Sequence, residues 1–194
     1  MTRRKGAEKA TTDAGRFLRA LFPIVDPTSL VEVRAYFING KMDREFYDDL
    51  DRLERDADIV CQVADVYVGV ATRRDHTSGK KINLAWANAY FAELDAGPAK
   101  PYKNVDKIMA ALDAFTPASS IRVLSGAGVH AYWLLDIPVL VQTPFHLAEY
   151  EQVTRGLQQR LRADKGTWNA DRILRLPGTL WHKKQPPRKV ELVQ

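Results

Sequence analysis

One cysteine, Cys61, stands in the 194-residue chain, and that scarcity removes several chemistries at once. A single thiol cannot close an internal disulfide, carry an iron–sulfur cluster or build a cysteine zinc ribbon, so any metal must be held by oxygen or imidazole, and zinc is not expected. Long apolar runs are missing too. Asp136 interrupts even the hydrophobic 131–141 region, far short of the roughly 18 residues of a membrane span. The leader carries Arg3, Arg4, Lys5 and Lys9 without the apolar stretch of a secretory signal. The expectation is a flexible basic arm over 1–11 on a soluble, cytoplasmic protein with no membrane partner. The four histidines, His76, His130, His146 and His182, include no pair spaced by one residue, which speaks against a replication-initiator nickase. The Lys/Arg-Gly-Phe/Tyr signature of an RRM is absent as well.

What is present describes a chain that folds. Hydrophobic residues make up 45% and charged residues 27%, enough for one well-packed core. Lys and Arg outnumber Asp and Glu by 29 to 24, a net +5 that favours polyanionic partners. Apolar spacing predicts a helix over 12–21 and a strand over 30–37, followed by a turn at Asn39-Gly40. It then predicts a helix over 44–58, a strand over 66–70, a basic loop over 73–81 and a strand over 86–94. A helix over 105–115, two strands around a glycine turn, a helix over 145–163 and a short strand at 190–193 complete the chain. Helices mixed with hairpins indicate an α+β fold with a mostly antiparallel sheet. A single domain over 12–194 is expected, with subdomains at about 12–85 and 86–194 left open.

Three constellations could carry chemistry. Glu93 and Asp95 are spaced by one residue, so on a strand both side chains share a face, where a divalent cation would relieve their repulsion. Taken alone, such a pair is as well explained by exposed acids at a strand end. Ser125-Gly126-Ala127-Gly128-Val129-His130 offers a glycine turn able to approach an anion and a histidine able to donate to phosphate; a plain hairpin with a core histidine is the competing reading. Asp164 is followed by Arg172 and Arg175, whose odd spacing would place them on opposite faces of a regular strand, so that either a bulge or turn near Leu174 intervenes or one arginine serves structure by pairing with an acid.

The order Glu93-Leu94-Asp95, then Ser125-Gly126-Ala127-Gly128-Val129-His130-Ala131-Tyr132-Trp133, then Asp164 and Arg172-Ile173-Leu174-Arg175-Leu176-Pro177-Gly178-Thr179 resembles the primase-polymerases of plasmids, phages and mobile elements, in the archaeo-eukaryotic primase (AEP) superfamily. The resemblance runs from about Phe17 to Lys183. It implies an RRM-like, mostly antiparallel sheet flanked by helices, with an N-terminal α/β subdomain. It further implies template-dependent nucleotidyl transfer, as a DNA primase, a DNA polymerase or both, with two Mg²⁺ or Mn²⁺ ions. By the same resemblance Glu93, Asp95 and Asp164 are the metal ligands, with Asp171 as the alternative third acid. Ser125, Gly126, His130, Arg172, Arg175 and Lys183 contact the incoming nucleotide. The first acid is often Asp in this family and is Glu93 here, which lengthens its reach by one methylene.

A template groove would draw on Arg34, Arg73, Arg74, Lys80 and Lys81, with Trp86 or Trp181 for base stacking. The implied partners are a DNA template or primer and dNTPs or NTPs, with a helicase or replication initiator left open. The chain is expected to be a minimal catalytic unit without helical C-terminal, helicase or zinc modules. The alternative is a non-catalytic single-stranded nucleic-acid-binding module with an RRM-like sheet.

Overall fold

The computed structural model describes residues 12–23 and 29–194; the basic arm expected over 1–11 lies outside them. Helix α1 (Asp13–Leu21) starts where Thr12 Oγ1 accepts the Gly15 amide at 3.0 Å, and it buries Phe17, Leu18 and Leu21 before Pro23. Strand β1 (Val31–Phe37) turns through Gly40, at φ +85°, into β2 (Met42–Tyr47). This corrects the helix expected over 44–58. Its first part is an edge strand paired with β1 from Val31↔Tyr47 to Tyr36↔Met42. Helix α2 (Leu50–Val60) begins after Asp49, whose carboxylate caps the amides of Asp51 and Arg52. Phe46, Tyr47, Leu50 and Leu53 mimic helical spacing because an edge strand runs almost directly into a helix.

Then follow β3 (Ala64–Gly69), β4 (Ala71–Arg73), a 3₁₀ turn at Lys81–Asn83, β5 (Leu84–Asp95) and α3 (Val105–Asp113). The chain continues with β6 (Ile121–Leu124), β7 (Gly128–Leu140), α4 (Pro144–Arg160) and β8 (Ile173–Arg175). Three two-residue strands end it: β9 (Leu180–Trp181), β10 (Arg188–Lys189) and β11 (Glu191–Leu192). One sheet has the order β2-β1-β3-β8, the other β11-β6-β7-β5-β4, and β9 pairs with β10. Every pair of these strands is antiparallel, as expected.

The two sheets share one core, in which Phe17, Val66, Val68, Phe91, Tyr132 and Leu174 belong to a single buried cluster. A second cluster fills the other face of β5 and β7, where Ala92, Leu94 and Val129 meet Ile108 and Leu112 of α3. Residues before and after 85 interleave, since late β8 completes the first sheet beside β3. Among the described residues no helix is long and apolar enough to cross a membrane.

A buried ion cluster joins the sheets. Leu30 and Arg73 exchange backbone hydrogen bonds of 2.8 Å each, and two residues along β1 the Glu32 carboxylate meets the Arg73 guanidinium at 2.5 Å, both side chains fully buried. Arg34 and Arg44 reach the same carboxylate at 2.6 and 2.9 Å. Gly79 brings the following loop so close that a Cβ there would overlap Glu32 Oε1. Arg73 is therefore an internal strut, which corrects its assignment to an exposed DNA-binding loop. A buried carboxylate facing three guanidinium groups is costly to remove, because the cations stay behind unpaired. Glu32→Gln should lose about 3–5 kcal/mol of stability in urea unfolding. Arg52→Ala, which breaks two exposed ion pairs and a cation–π contact with Tyr47, should lose only about 1 kcal/mol. Equal losses would contradict the strut.

Candidate active site

Strands β5 and β7 pair so that Glu93 lies opposite His130 and Asp95 opposite Gly128. Residues two apart on β5 share a face, and the face that buries Ala89 and Phe91 carries Glu93 and then Asp95 as the strand leaves the core. The first two constellations are thus one structure. Its glycines serve packing: a Cβ on Gly128 would overlap the Leu94 carbonyl, and one on Gly126, at φ +92°, would overlap the Trp181 ring. The turn closes through the Ser125 amide, which donates to the Gly128 carbonyl at 2.9 Å. Gly126 presents its carbonyl to Arg188 at 3.1 Å.

Asp164 arrives from the far end of α4, its amide donating to the Glu93 carbonyl at 2.9 Å. Apolar spacing predicted a Leu147, Tyr150, Val153, Leu157 and Leu161 face for this helix. Tyr150 and Leu161 are buried and Leu147 and Leu157 pack partly buried against the cores as predicted, whereas Val153 is exposed and the polar Glu151, Thr154 and Gln158 share the buried side. The polar groups on this side fasten neighbouring backbone. Tyr150 donates to Ala89 O at 2.7 Å, Glu151 accepts the Ala170 amide at 3.0 Å, Thr154 donates to Trp168 O at 2.8 Å, and Gln158 donates to Asp164 O. Four hydrogen bonds thereby fix the acids of β5 and the segment holding Asp164.

The carboxylates have different partners. Glu93, the more enclosed, accepts from Arg172 through Nε at 3.2 Å and NH2 at 2.5 Å. Burial pushes its carboxyl above the usual value; Arg172 opposes that rise, while Asp95 and Asp164 add to it. Asp95 and Asp164 share one ammonium, Lys100 Nζ, at 3.2 and 2.6 Å. The hydrogen bond to Asp164 is the main force raising the Lys100 pKa. Among the described residues no three His, Cys, Asp or Glu side chains close into a preformed metal cage. Oxygen donors already gathered around a cation do fit a hard divalent ion. Asp171 instead accepts from the Asn169 side chain at 2.6 Å and acts electrostatically on buried Arg73.

Opposite Glu93, His130 is 1% exposed and its Nδ1 has no hydrogen-bond partner. Burial first, then the nearby charges of Arg175 and Arg172, lower its pKa from 6.5 to about 3. The charges of both arginines thus reach His130 electrostatically, although their side chains are held by different partners. Arg172 lies just before β8 and is paired with the acid Glu93, so no bulge near Leu174 is needed. Arg175 sits over the rings of Tyr67 and Trp181, 5.3 and 5.0 Å from their centroids, and donates to Ser125 O at 3.3 Å. Ser125 Oγ, Arg175 Nε and Trp181 Nε1 are buried without partners in the same neighbourhood. Trp181, 4% exposed, is thereby corrected from a base-stacking surface to a wall of this pocket. Lys183, Arg74 and Lys80 are exposed, and Lys81 is held by Glu151 at 2.6 Å beside the Trp168 ring. Lys100 and Tyr67 were missed from the sequence. Nothing in Gly97-Pro98-Ala99-Lys100 marks a lysine that turns back onto the acids.

The buried imidazole gives a pH signature. Unfolded, His130 gains its proton near 6.5; folded, not until about 3, so the unfolded state binds more protons between those values. Stability should fall as pH drops through that window, by up to about 1.4 kcal/mol per unit. His130→Gln should remove this slope, measured by chemical denaturation of both proteins from pH 7 to about 4. A wild-type minus variant difference that stays constant with pH would contradict the buried neutral imidazole.

No protein-family model and no curated protein matches the sequence. Solved structures do match. The AEP domain (PP-N190) of the cyanophage S-2L primase-polymerase superposes with a TM-score of 0.65 at 19% identity, over 92% of this chain and 86% of that one. Primase RepB′ gives a TM-score of 0.60 at 14% identity, over 94% of this chain and 55% of that one. The RepB′ catalytic domain, solved in complex with initiator DNA, gives 0.59 at 14%, over 94% and 82%. At these identities the likeness is one of architecture, and it covers nearly all of this chain. The fold of this chain is that of an AEP primase-polymerase domain.

Proposed function

We propose that this chain is a template-dependent nucleotidyltransferase, a DNA primase or polymerase core from a plasmid, phage or other mobile element, working with two Mg²⁺ or Mn²⁺ ions. The observation that carries this reading is the convergence of Glu93, Asp95 and Asp164 beside His130, Arg172 and Arg175, on a fold shared with primase-polymerases. An acidic cluster next to a cationic, partly unsatisfied pocket suits a nucleoside triphosphate whose phosphates arrive with metal ions.

Glu93, Asp95 and Asp164 would hold the metal ions, whose chemistry is to ease deprotonation of the attacking hydroxyl and neutralise the triphosphate. His130, neutral at physiological pH, offers its unpaired Nδ1 to a phosphate oxygen without carrying a charge into the core. Arg175, steadied by Tyr67 and Trp181, keeps an unpaired Nε–H beside it, and Ser125 Oγ is the third unspent group. Arg172 compensates Glu93 while that carboxylate waits for a cation. The Gly126 turn shapes the pocket through its packing on Trp181, and Lys183 remains an outer phosphate contact.

For the template, Arg34 and Arg44 at the margin of the Glu32 cluster and the exposed Arg74 and Lys80 supply positive charge, with half-buried Trp86 as the stacking candidate. The RepB′ domain was solved with initiator DNA, which supports a DNA partner for this fold.

A templated assay with labelled dNTPs or NTPs, with and without primer, tests the reading. Asp95→Asn should lower incorporation on the order of 10³-fold while circular dichroism stays unchanged. Wild-type-like extension by that variant in either Mg²⁺ or Mn²⁺ would overturn the site. DNA binding without incorporation by the wild-type protein would point to the binding module instead.

A further inference from the structure

The two carboxylates that share Lys100 come from separate elements, Asp95 from the end of β5 and Asp164 from the segment after α4. Without a cation between them they would repel across a half-exposed cleft that also contains Glu93. Arg172 is committed to Glu93, so the ammonium of Lys100 serves the other two acids. We propose that Lys100 is a built-in counter-ion that occupies the divalent-ion position of the metal-free protein and leaves it when metal binds. This rests on the nucleotidyltransferase reading and adds a regulator of metal loading to it.

Three features support exchange rather than a permanent pair. The backbone around Lys100 is pinned by hydrogen bonds, while its side chain is held at its tip by the two carboxylates. Gly97 N donates to Tyr102 O at 2.9 Å, Lys100 N to Gly97 O at 3.1 Å, and Tyr102 Oη to Leu161 O at 2.6 Å, whereas the lysine side chain is 38% exposed. The released ammonium also has somewhere to go. Lys100 and Asp164 line an open cavity of about 680 Å³ whose wall also carries Gln158, Gln159, Arg162 and Lys165, so rotation of the lysine stem carries its charge away from the paired carboxylates toward solvent with the loop in place. Finally, one position cannot hold both cations: an ammonium within 2.6–3.2 Å of both carboxylates stands where a divalent ion must bind, and the two would repel at contact. Lysine suits this role because its charge is compact and its stem flexible, unlike the forked Arg172 that holds Glu93 at two nitrogens.

The proposal makes metal uptake a competition. Replacing Lys100 by a neutral residue should tighten Mn²⁺ binding even though a side chain has been lost from the site. Mn²⁺ titration of the nucleotide-free chain, followed by electron paramagnetic resonance, reads this directly. Lys100→Met should bind Mn²⁺ about tenfold more tightly than wild type, the effect of removing one partly screened unit charge. Lys100→Arg should remain within about twofold of wild type because the charge is retained. Lys100→Gln provides the same comparison if the methionine variant folds poorly by circular dichroism. Unchanged or weaker Mn²⁺ binding by the neutral variants, with wild type binding and Asp95→Asn not, would overturn the counter-ion role and leave the metal site standing. Absence of Mn²⁺ binding in wild type and every variant would overturn both.

Discussion

The hydrogen-bonded pairing of β5 with β7 fixes the site on which everything else depends. One face of this ribbon is apolar at Phe91 and Tyr132 and becomes polar at Glu93 and His130. The other face buries Ala92, Leu94 and Val129 against α3. A slip of one residue would turn the carboxylates into that apolar cluster, so the register is held by hydrophobic burial on one side and charge on the other. Gly128 completes the constraint, because only a residue without Cβ fits against the Leu94 carbonyl where Asp95 leaves the sheet.

Charge is distributed over the fold in two grades of permanence. At the sheet junction Glu32 and Arg73 are fully buried, with Arg34 and Arg44 closing the cluster. The Glu32–Arg73 pair is sealed from solvent and serves the relative placement of β1 and β4, while Arg34 and Arg44 lie at its partly exposed margin. In the site, Glu93 is enclosed and held by Arg172, whereas Asp95 and Asp164 meet solvent and share a flexible lysine. The gradient from enclosed to exposed runs outward along β5. It leaves the outer acids able to change partners while the innermost one keeps its place.

Elements whose apolar residues follow a single period were legible in the sequence: α1, β1, β5, α3 and the β6–β7 hairpin lie where spacing predicted. Errors arose where a distant partner decides the outcome. Edge strand β2 has its exposed face open and merges into a helical spacing, so only the Asp49 cap marks the boundary. Arg73 sits in a basic, turn-rich stretch that reads as a loop, and its burial depends on Glu32 from another strand. The inward side of α4 mixes the predicted apolar residues with Glu151, Thr154 and Gln158, which hydrogen-bond backbone in a way that hydrophobic periodicity cannot register. For the site, the spacing of Glu93 and Asp95, the glycine turn and the preference for Asp164 over Asp171 were available from the sequence, but the union of the first two across one ladder and the lysine bridging Asp95 and Asp164 are tertiary facts.

The central claim is that these acids and the His130 pocket bind one metal-loaded nucleotide. Anomalous diffraction from crystals grown with Mn²⁺ and a non-hydrolysable nucleoside triphosphate tests it most directly. Manganese density should lie bonded to Asp95 and Asp164, with the triphosphate against His130 and Arg175. Manganese confined to other carboxylates, or a nucleotide seated away from His130, would contradict it.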